Sequence, residues 1–86
     1  MEYIVYFRPS CPYSRKAIDL LQRAARSHPD ITLKIISVNS KTLVDILEKA
    51  NIFHHRTVPA IFENGHFIGG YDQLVTALKW LDPCLY

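Results

Sequence analysis

The tightest constraint on this 86-residue chain is the junction at Arg8-Pro9-Ser10-Cys11-Pro12, where a strand-like run gives way to a helical one. The run before it, Tyr3-Ile4-Val5-Tyr6-Phe7, is aromatic and β-branched with no polar alternation, as in a strand covered on both faces. After it, Ala17, Ile18, Leu20, Leu21, Ala24 and Ala25 recur at helical spacing, which predicts a helix from about Pro12 to Arg26. Proline suits the first helical position, because it lacks the N–H that would be orphaned there and its φ is already helical. Cys11 is thereby set at a helix N-terminus, facing unpaired backbone N–H groups and the positive end of the helix dipole, which both favour a thiolate. Arg8, Arg15 and Lys16 add positive charge. The position reads as a reactive cysteine.

The remaining pattern predicts one small α/β domain over residues 1–86. Ser27-His28-Pro29-Asp30 breaks the first helix, and Ile31 to Val38 reads as a second strand. Asn39 and Ser40 are cap candidates for a second helix with the apolar face Leu43, Val44, Ile46, Leu47 and Ala50, fraying near Asn51. Thr57 to Phe62 reads as a third strand entered through Pro59, and Asn64-Gly65 as a hairpin turn into a short strand at Phe67-Ile68. Gly69-Gly70 permits a close turn. Asp72 is the cap candidate for a last helix with Leu74, Val75, Leu78 and Leu81, ended by Asp82-Pro83. The order β-α-β-α-β-β-α implies a four-stranded mixed sheet flanked by three helices.

Composition narrows the function classes. At 49% hydrophobic residues the chain has enough apolar side chains for a packed core. A net charge of +2, with the basic residues spread along the chain, argues against nucleic-acid or membrane-surface binding. No apolar run approaches the roughly 20 residues that span a bilayer, and the N-terminal segment reads as a strand rather than a signal peptide. Two cysteines, Cys11 and Cys84, make no disulfide framework and suit a reducing, cytoplasmic setting. Cys84 reads as an incidental thiol. The four histidines, His28, His54, His55 and His66, lack metal-ligand spacing and read as surface residues, so no metal is expected.

Cys11-Pro12-Tyr13-Ser14 after the first strand, Thr57-Val58-Pro59, and Gly69-Gly70-Tyr71-Asp72 occur in order in a chain of this length. Together they resemble the glutaredoxins, the glutathione-dependent branch of the thioredoxin-like fold, over essentially the whole chain. The resemblance implies a nucleophilic Cys11, a cis bond before Pro59, and glutathione as co-substrate with its cysteine backbone paired to Val58 beside Thr57. It sets Arg8, Tyr13 and Arg56 against the glycine end of glutathione, and Gly70, Tyr71 and Asp72 against the γ-glutamyl end. Many relatives carry an acidic residue where this chain has Gln73, so Asp72 takes over that part.

Ser14 stands where dithiol relatives have a resolving cysteine. It marks either a natural monothiol type or a Cys→Ser variant of a dithiol type, and a serine hydroxyl still donates a hydrogen bond to the Cys11 thiolate. The implied partners are glutathione and glutathionylated proteins or low-molecular-weight disulfides, handled by a monomer. The alternative, a glutathione-ligated [2Fe–2S] carrier, is opposed by Pro12, since cluster-binding relatives usually have a small residue there.

Overall fold

The computed structural model describes residues 1–81, with Leu81 described by its backbone alone. Seven elements follow one another: β1 (Glu2–Phe7), α1 (Pro12–Ser27), β2 (Thr32–Ser37), α2 (Ser40–Lys49), β3 (Ala60–Glu63), β4 (His66–Gly69) and α3 (Tyr71–Leu81). The sheet order is β2-β1-β3-β4. β1 runs parallel to β2 and antiparallel to β3, and β3 and β4 form an antiparallel hairpin, so the sheet is mixed. This is the thioredoxin-like architecture that the resemblance implied, on the mixed sheet expected from the order of elements.

Strand side chains alternate between faces, so the central strand β1 feeds two cores. Tyr3 and Val5 enter the larger one with Leu20, Leu21, Leu74 and Leu78, supplied by α1 and α3. Ile4 and Tyr6 pack on the other face with Leu43 and Leu47 of α2, together with Ala60 and Phe62. A leucine fully buried in this way contributes about 1.5–3 kcal/mol relative to leaving it exposed. Tyr3 satisfies its hydroxyl by donating to Glu63 Oε2 at 2.7 Å.

Several local expectations are corrected. β3 begins at Ala60 rather than Thr57: Val58–Pro59 is a cis peptide bond, and a prolyl nitrogen has no proton for the ladder. The end of α2 does not fray. Asn51 adopts φ +62°, and the N–H groups of Asn51 and Ile52 donate back to the Glu48 and Leu47 carbonyls, a closed Schellman turn. Of the two proposed caps for α2, Asn39 does the capping, accepting from the Thr42 N–H at 2.8 Å, whereas Ser40 is the first helical residue. β2 is an edge strand on which Ile35 and Ile36 remain 38% and 39% exposed, with Lys34 just before them. A charged lysine in mid-edge discourages pairing with another chain. The proposed stop at Asp82-Pro83 and the side chain of Leu81 lie outside the described residues.

Asp72 does not cap α3. It is the second helical residue, and the bond at the start of this helix comes from Gln73, whose Oε1 accepts from the Gly70 N–H at 2.9 Å. This is the backward half of a capping box, in which the third helical side chain returns to the residue before the helix. The Gln73 side chain lies directly over Gly69, where a Cβ would come within 2.7 Å of its Cγ, and Gly69 has φ +124°. Gly65 also has positive φ, at +82°, but a Cβ there would meet nothing within 4 Å. Both positions charge a side chain for an unfavourable backbone, about 1–3 kcal/mol, but only Gly69→Ala also displaces the Gln73 cap. Urea unfolding should therefore show Gly69→Ala losing clearly more stability than Gly65→Ala; equal losses would contradict this account of the turn.

Candidate active site

One edge of the sheet gathers the chemistry, and strand direction explains why. β1 and β2 are parallel, so the start of α1 after β1 and the start of α2 after β2 share an edge. Tyr6 pairs with Ala60, which sets Pro59 beside the last residue of β1. Ile61 pairs with Gly69, which brings Gly70 and the start of α3 to the same edge. Residues 8–14, 39–43, 56–59 and 70–73 thus converge although they are scattered in sequence.

Cys11 is the residue just before α1, with Pro12 at the first helical position. A turn closed by its N–H on the Arg8 carbonyl at 3.0 Å presents the side chain, and its Sγ lies 3.6 Å from the Val58 carbonyl oxygen. Partial burial of Cys11 works against the thiolate, but the opposing contributions win and the thiol titrates below its ordinary range. Those contributions are the Ser14 N–H, the Ser14 hydroxyl, the Tyr13 N–H and the positive charge of Arg8. Two of the four are first-turn backbone N–H groups, the orphan donors of a helix start. Of the three cations named from the sequence, only Arg8 acts on the thiol; Lys16 instead lies over the Tyr13 ring, 5.2 Å from its centroid.

Ser14 is completely buried, and its Oγ accepts a long, 3.5 Å hydrogen bond from the Arg8 N–H. The hydroxyl is therefore tied into the loop carrying the thiol, with its own proton left to donate.

Two cavities share Thr57 and Val58, and Cys11 lines one of them. One, of about 380 Å³, holds Arg8 and Arg56 with Cys11, Ser10, Ser40 and Leu43. Arg8 is steadied there by donating from Nη1 to Ser40 Oγ at 3.1 Å. The other, of about 260 Å³, is lined by Pro59, Gly70, Tyr71, Asp72 and Gln73 at the start of α3, with Tyr13 and His55. Tyr13 and Tyr71 face each other across it, ring centroids 6.0 Å apart. Every site residue named from the sequence thus lines a cavity or touches the thiol loop. The grouping differs at one point: Tyr13 lies with Tyr71 and Asp72, not with Arg8 and Arg56.

Three contributors escaped the sequence reading. Ser40 holds Arg8, and Gln73 holds the turn before α3. His55, expected at the surface, is half-buried in the cavity wall with its ring edge-on to Phe67 at 5.1 Å and its Nε2 buried without a partner. The doublet His54-His55 carried no periodic signal to separate its members, and only His54 is exposed.

The glutaredoxin family model matches residues 3–68. This chain belongs to the glutaredoxin family. It is 33% identical over 85 residues to a probable glutaredoxin of Acanthamoeba polyphaga mimivirus, covering 93% of this chain and 77% of that one. It is 28% identical over 81 residues to glutaredoxin 1 of Escherichia coli, covering 92% and 94% of the two chains. The solved structure of E. coli glutaredoxin superposes with a TM-score of 0.76 at 27% identity, covering 98% of this chain and all of the other. Glutaredoxins are thiol–disulfide oxidoreductases, and in this chain Cys11 lies at the edge shared by β1 and the cis-proline loop. Among the described residues, no helix is long and apolar enough to cross a membrane.

Because the folded thiol titrates low, its thiolate stabilises the fold above the unfolded-state value of about 8.5, and this contribution disappears as pH falls through the folded value. The stability difference between the wild-type protein and Cys11→Ala should therefore grow with pH below about 8.5 and then level off. Urea midpoints measured across that range test it, and a pH-independent difference would contradict it. Ser14→Ala should move the thiol titration upward, read by the pH dependence of alkylation, without restoring an ordinary thiol, since both backbone donors remain.

Proposed function

We propose that this glutaredoxin reduces mixed disulfides of glutathione by a monothiol mechanism through Cys11. The observation that carries the reading is a thiol in one cavity, 3.6 Å from the carbonyl of Val58, which with Thr57 is shared with a second, unlike cavity. Glutathione has a cysteine in the middle, a glycine carboxylate at one end and a zwitterionic γ-glutamyl head at the other. Arg8 and Arg56 suit the carboxylate, by charge and by the forked geometry of guanidinium. Asp72 suits an α-ammonium, and the free N–H groups of the first turn of α3 suit the adjacent carboxylate. Val58 supports the middle by backbone pairing, and the Tyr13–Tyr71 pair walls the γ-glutamyl side.

The reaction then runs in two exchanges. The Cys11 thiolate attacks the glutathione sulfur of the mixed disulfide, and the bond between the two substrate sulfurs breaks to release the target thiolate. Cys11 now carries glutathione. With serine at position 14 no neighbouring thiol displaces it, so a second glutathione thiolate attacks the carried sulfur, releases Cys11 as thiolate and leaves as glutathione disulfide. A related protein, monothiol glutaredoxin-3 of Schizosaccharomyces pombe, is 36% identical over 73 residues, covering 83% of this chain and 43% of that one. Its name supports a one-thiol route here.

The lowered thiol pKa serves the second exchange more than the first. A thiol of pKa about 8.5 is roughly 3% thiolate at pH 7, so complete ionisation gains at most about thirty-fold in the attacking form. Nucleophilicity falls by about 0.4–0.5 log units for each unit of lowering, which cancels much of that gain. As a leaving group, Cys11 benefits without the opposing loss.

Reduction of the mixed disulfide between 2-mercaptoethanol and glutathione, coupled to glutathione oxidation, tests the proposal. Cys11→Ser should fall to the uncatalysed rate, and Arg8→Ala with Arg56→Ala should raise KM about ten-fold or more while altering kcat less. Ser14→Cys should stay active and acquire an internal disulfide on oxidation. A Cys11→Ser protein with substantial activity would end the reading.

A further inference from the structure

We propose that Arg15, Lys16 and Lys41 form a basic rim beside the thiol that selects glutathionylated polypeptides carrying acidic residues next to the modified cysteine. This rests on the glutathione reading above and deepens it, by naming the class of protein substrate that the same site takes.

Basic residues that are spread along the sequence gather in the fold. The segments that meet at the thiol edge, residues 8–16, 39–43, 56–59 and 70–73, carry Arg8, Arg15, Lys16, Lys41 and Arg56, with Asp72 as their one acid. These cations divide by location. Arg8 and Arg56 line the cavity that holds Cys11. Arg15, Lys16 and Lys41 are exposed, line neither of the two cavities and take no part in lowering the thiol titration, where Arg8 is the only charge that acts. Nor are they spent on the protein's own acids. Asp19, one turn beyond Arg15, pairs instead with Arg23 at 3.2 Å, and Lys41 makes no ion pair with Asp45 or any other described acid. Lys16 lies over the ring of Tyr13, which is itself 56% exposed.

The position of this rim matches what a protein substrate must present. Arg15 lies one helical turn on from Cys11, its N–H donating to the Cys11 carbonyl at 3.2 Å, and four helical residues rise only about 6 Å. The two sulfurs of a disulfide are about 2 Å apart, so attack by Cys11 on the glutathione sulfur draws the target cysteine to the rim. Residues two or three along an extended target chain then lie about 7–11 Å from that cysteine. The Debye length at physiological ionic strength is about 8 Å, so a carboxylate at those positions is attracted by the rim and an ammonium is repelled. An acidic polypeptide fits better than a nucleic acid, because the rim adjoins the thiol, which a partner must approach only if it carries the mixed disulfide.

The test uses three synthetic peptides with one glutathionylated cysteine, flanked two and three residues away on each side by glutamate, glutamine or lysine. The second exchange is common to all three, so kcat/KM for the peptide, corrected for the uncatalysed rate, reports the first. The wild-type protein should prefer the glutamate peptide to the lysine peptide by about ten-fold or more at about 0.01 M salt, with glutamine between them. The preference should vanish towards about 1 M salt, where the Debye length has fallen from about 30 Å to about 3 Å. Arg15→Glu combined with Lys41→Glu should abolish or reverse the order, while the mixed disulfide of 2-mercaptoethanol with glutathione is still reduced at near the wild-type rate. The wild-type salt dependence decides the matter alone should that variant not fold.

If the wild type reduces the three peptides alike at low salt, or if the folded double variant keeps the wild-type order, the inference is overturned while the glutathione reading stands. Tighter inhibition by a single-stranded oligothymidylate than by the unmodified glutamate peptide makes the rim a nucleic-acid surface, and overturns it as well. If neither the peptides nor the 2-mercaptoethanol disulfide is turned over, the glutathione reading falls, and the inference with it.

Discussion

The register of β1 against β3 is the constraint on which the site depends. Tyr6 opposite Ala60 fixes where the chain emerges before β3, and so where the Val58 carbonyl lies relative to Cys11, 3.6 Å from its sulfur. A slip of one residue would exchange the two faces of the strand, sending Ile61 from the α1–α3 core toward α2 and Phe62 the other way. Those two cores hold the register with buried Tyr3, Val5 and Ile61 on one side and Ala60 and Phe62 on the other. The geometry of the thiol is therefore underwritten by packing a whole strand length away, not by contacts at the thiol itself.

From that edge the electrostatics follow with few charges. The thiolate is favoured by two backbone N–H groups, one hydroxyl and one arginine. Backbone donors at a helix start cost nothing to keep in place, because the helix has no other use for them. Arg8 is a longer side chain with more freedom to lose, and Ser40 restrains it from the start of α2. The parallel pairing of β1 and β2 is what puts Ser40 within reach, so the edge strand with little core of its own still contributes to the site.

Much of this was legible from the residues. All seven elements and their order follow from hydrophobic period and turn chemistry, and the thiol at a helix start follows from Cys11-Pro12 alone. What escaped depended on relations that a linear reading does not carry. An apolar run such as Ile35-Ile36 looks the same on an edge strand as in the centre of a sheet, because only tertiary pairing decides which it is. Thr57-Val58 has strand propensity, yet pairing starts at Ala60, where the chain first has an N–H to offer after the proline. At α3 the acidic Asp72 drew attention as a cap, while a capping box with glycine in the first place lacks the serine or threonine that normally announces it. Only the structure shows that Gln73 returns to Gly70.

Serine at position 14 illustrates how one buried atom would redirect the proposed mechanism without disturbing a fold. The site is fully enclosed, so its occupant must be small, and the hydroxyl satisfies itself within the loop through the Arg8 N–H. A thiol there would be a nucleophile held beside Cys11, whereas a hydroxyl of far higher pKa supplies only a hydrogen bond. The thiolate-stabilising environment is thereby retained, while in the proposed mechanism the local exit from the mixed disulfide would be closed. On the proposed route, turnover would then come from an external thiol, which has to reach the sulfur carried on Cys11. Two cavities meet at Val58, so under that proposal the surface that orients the first glutathione would also limit how the second can arrive.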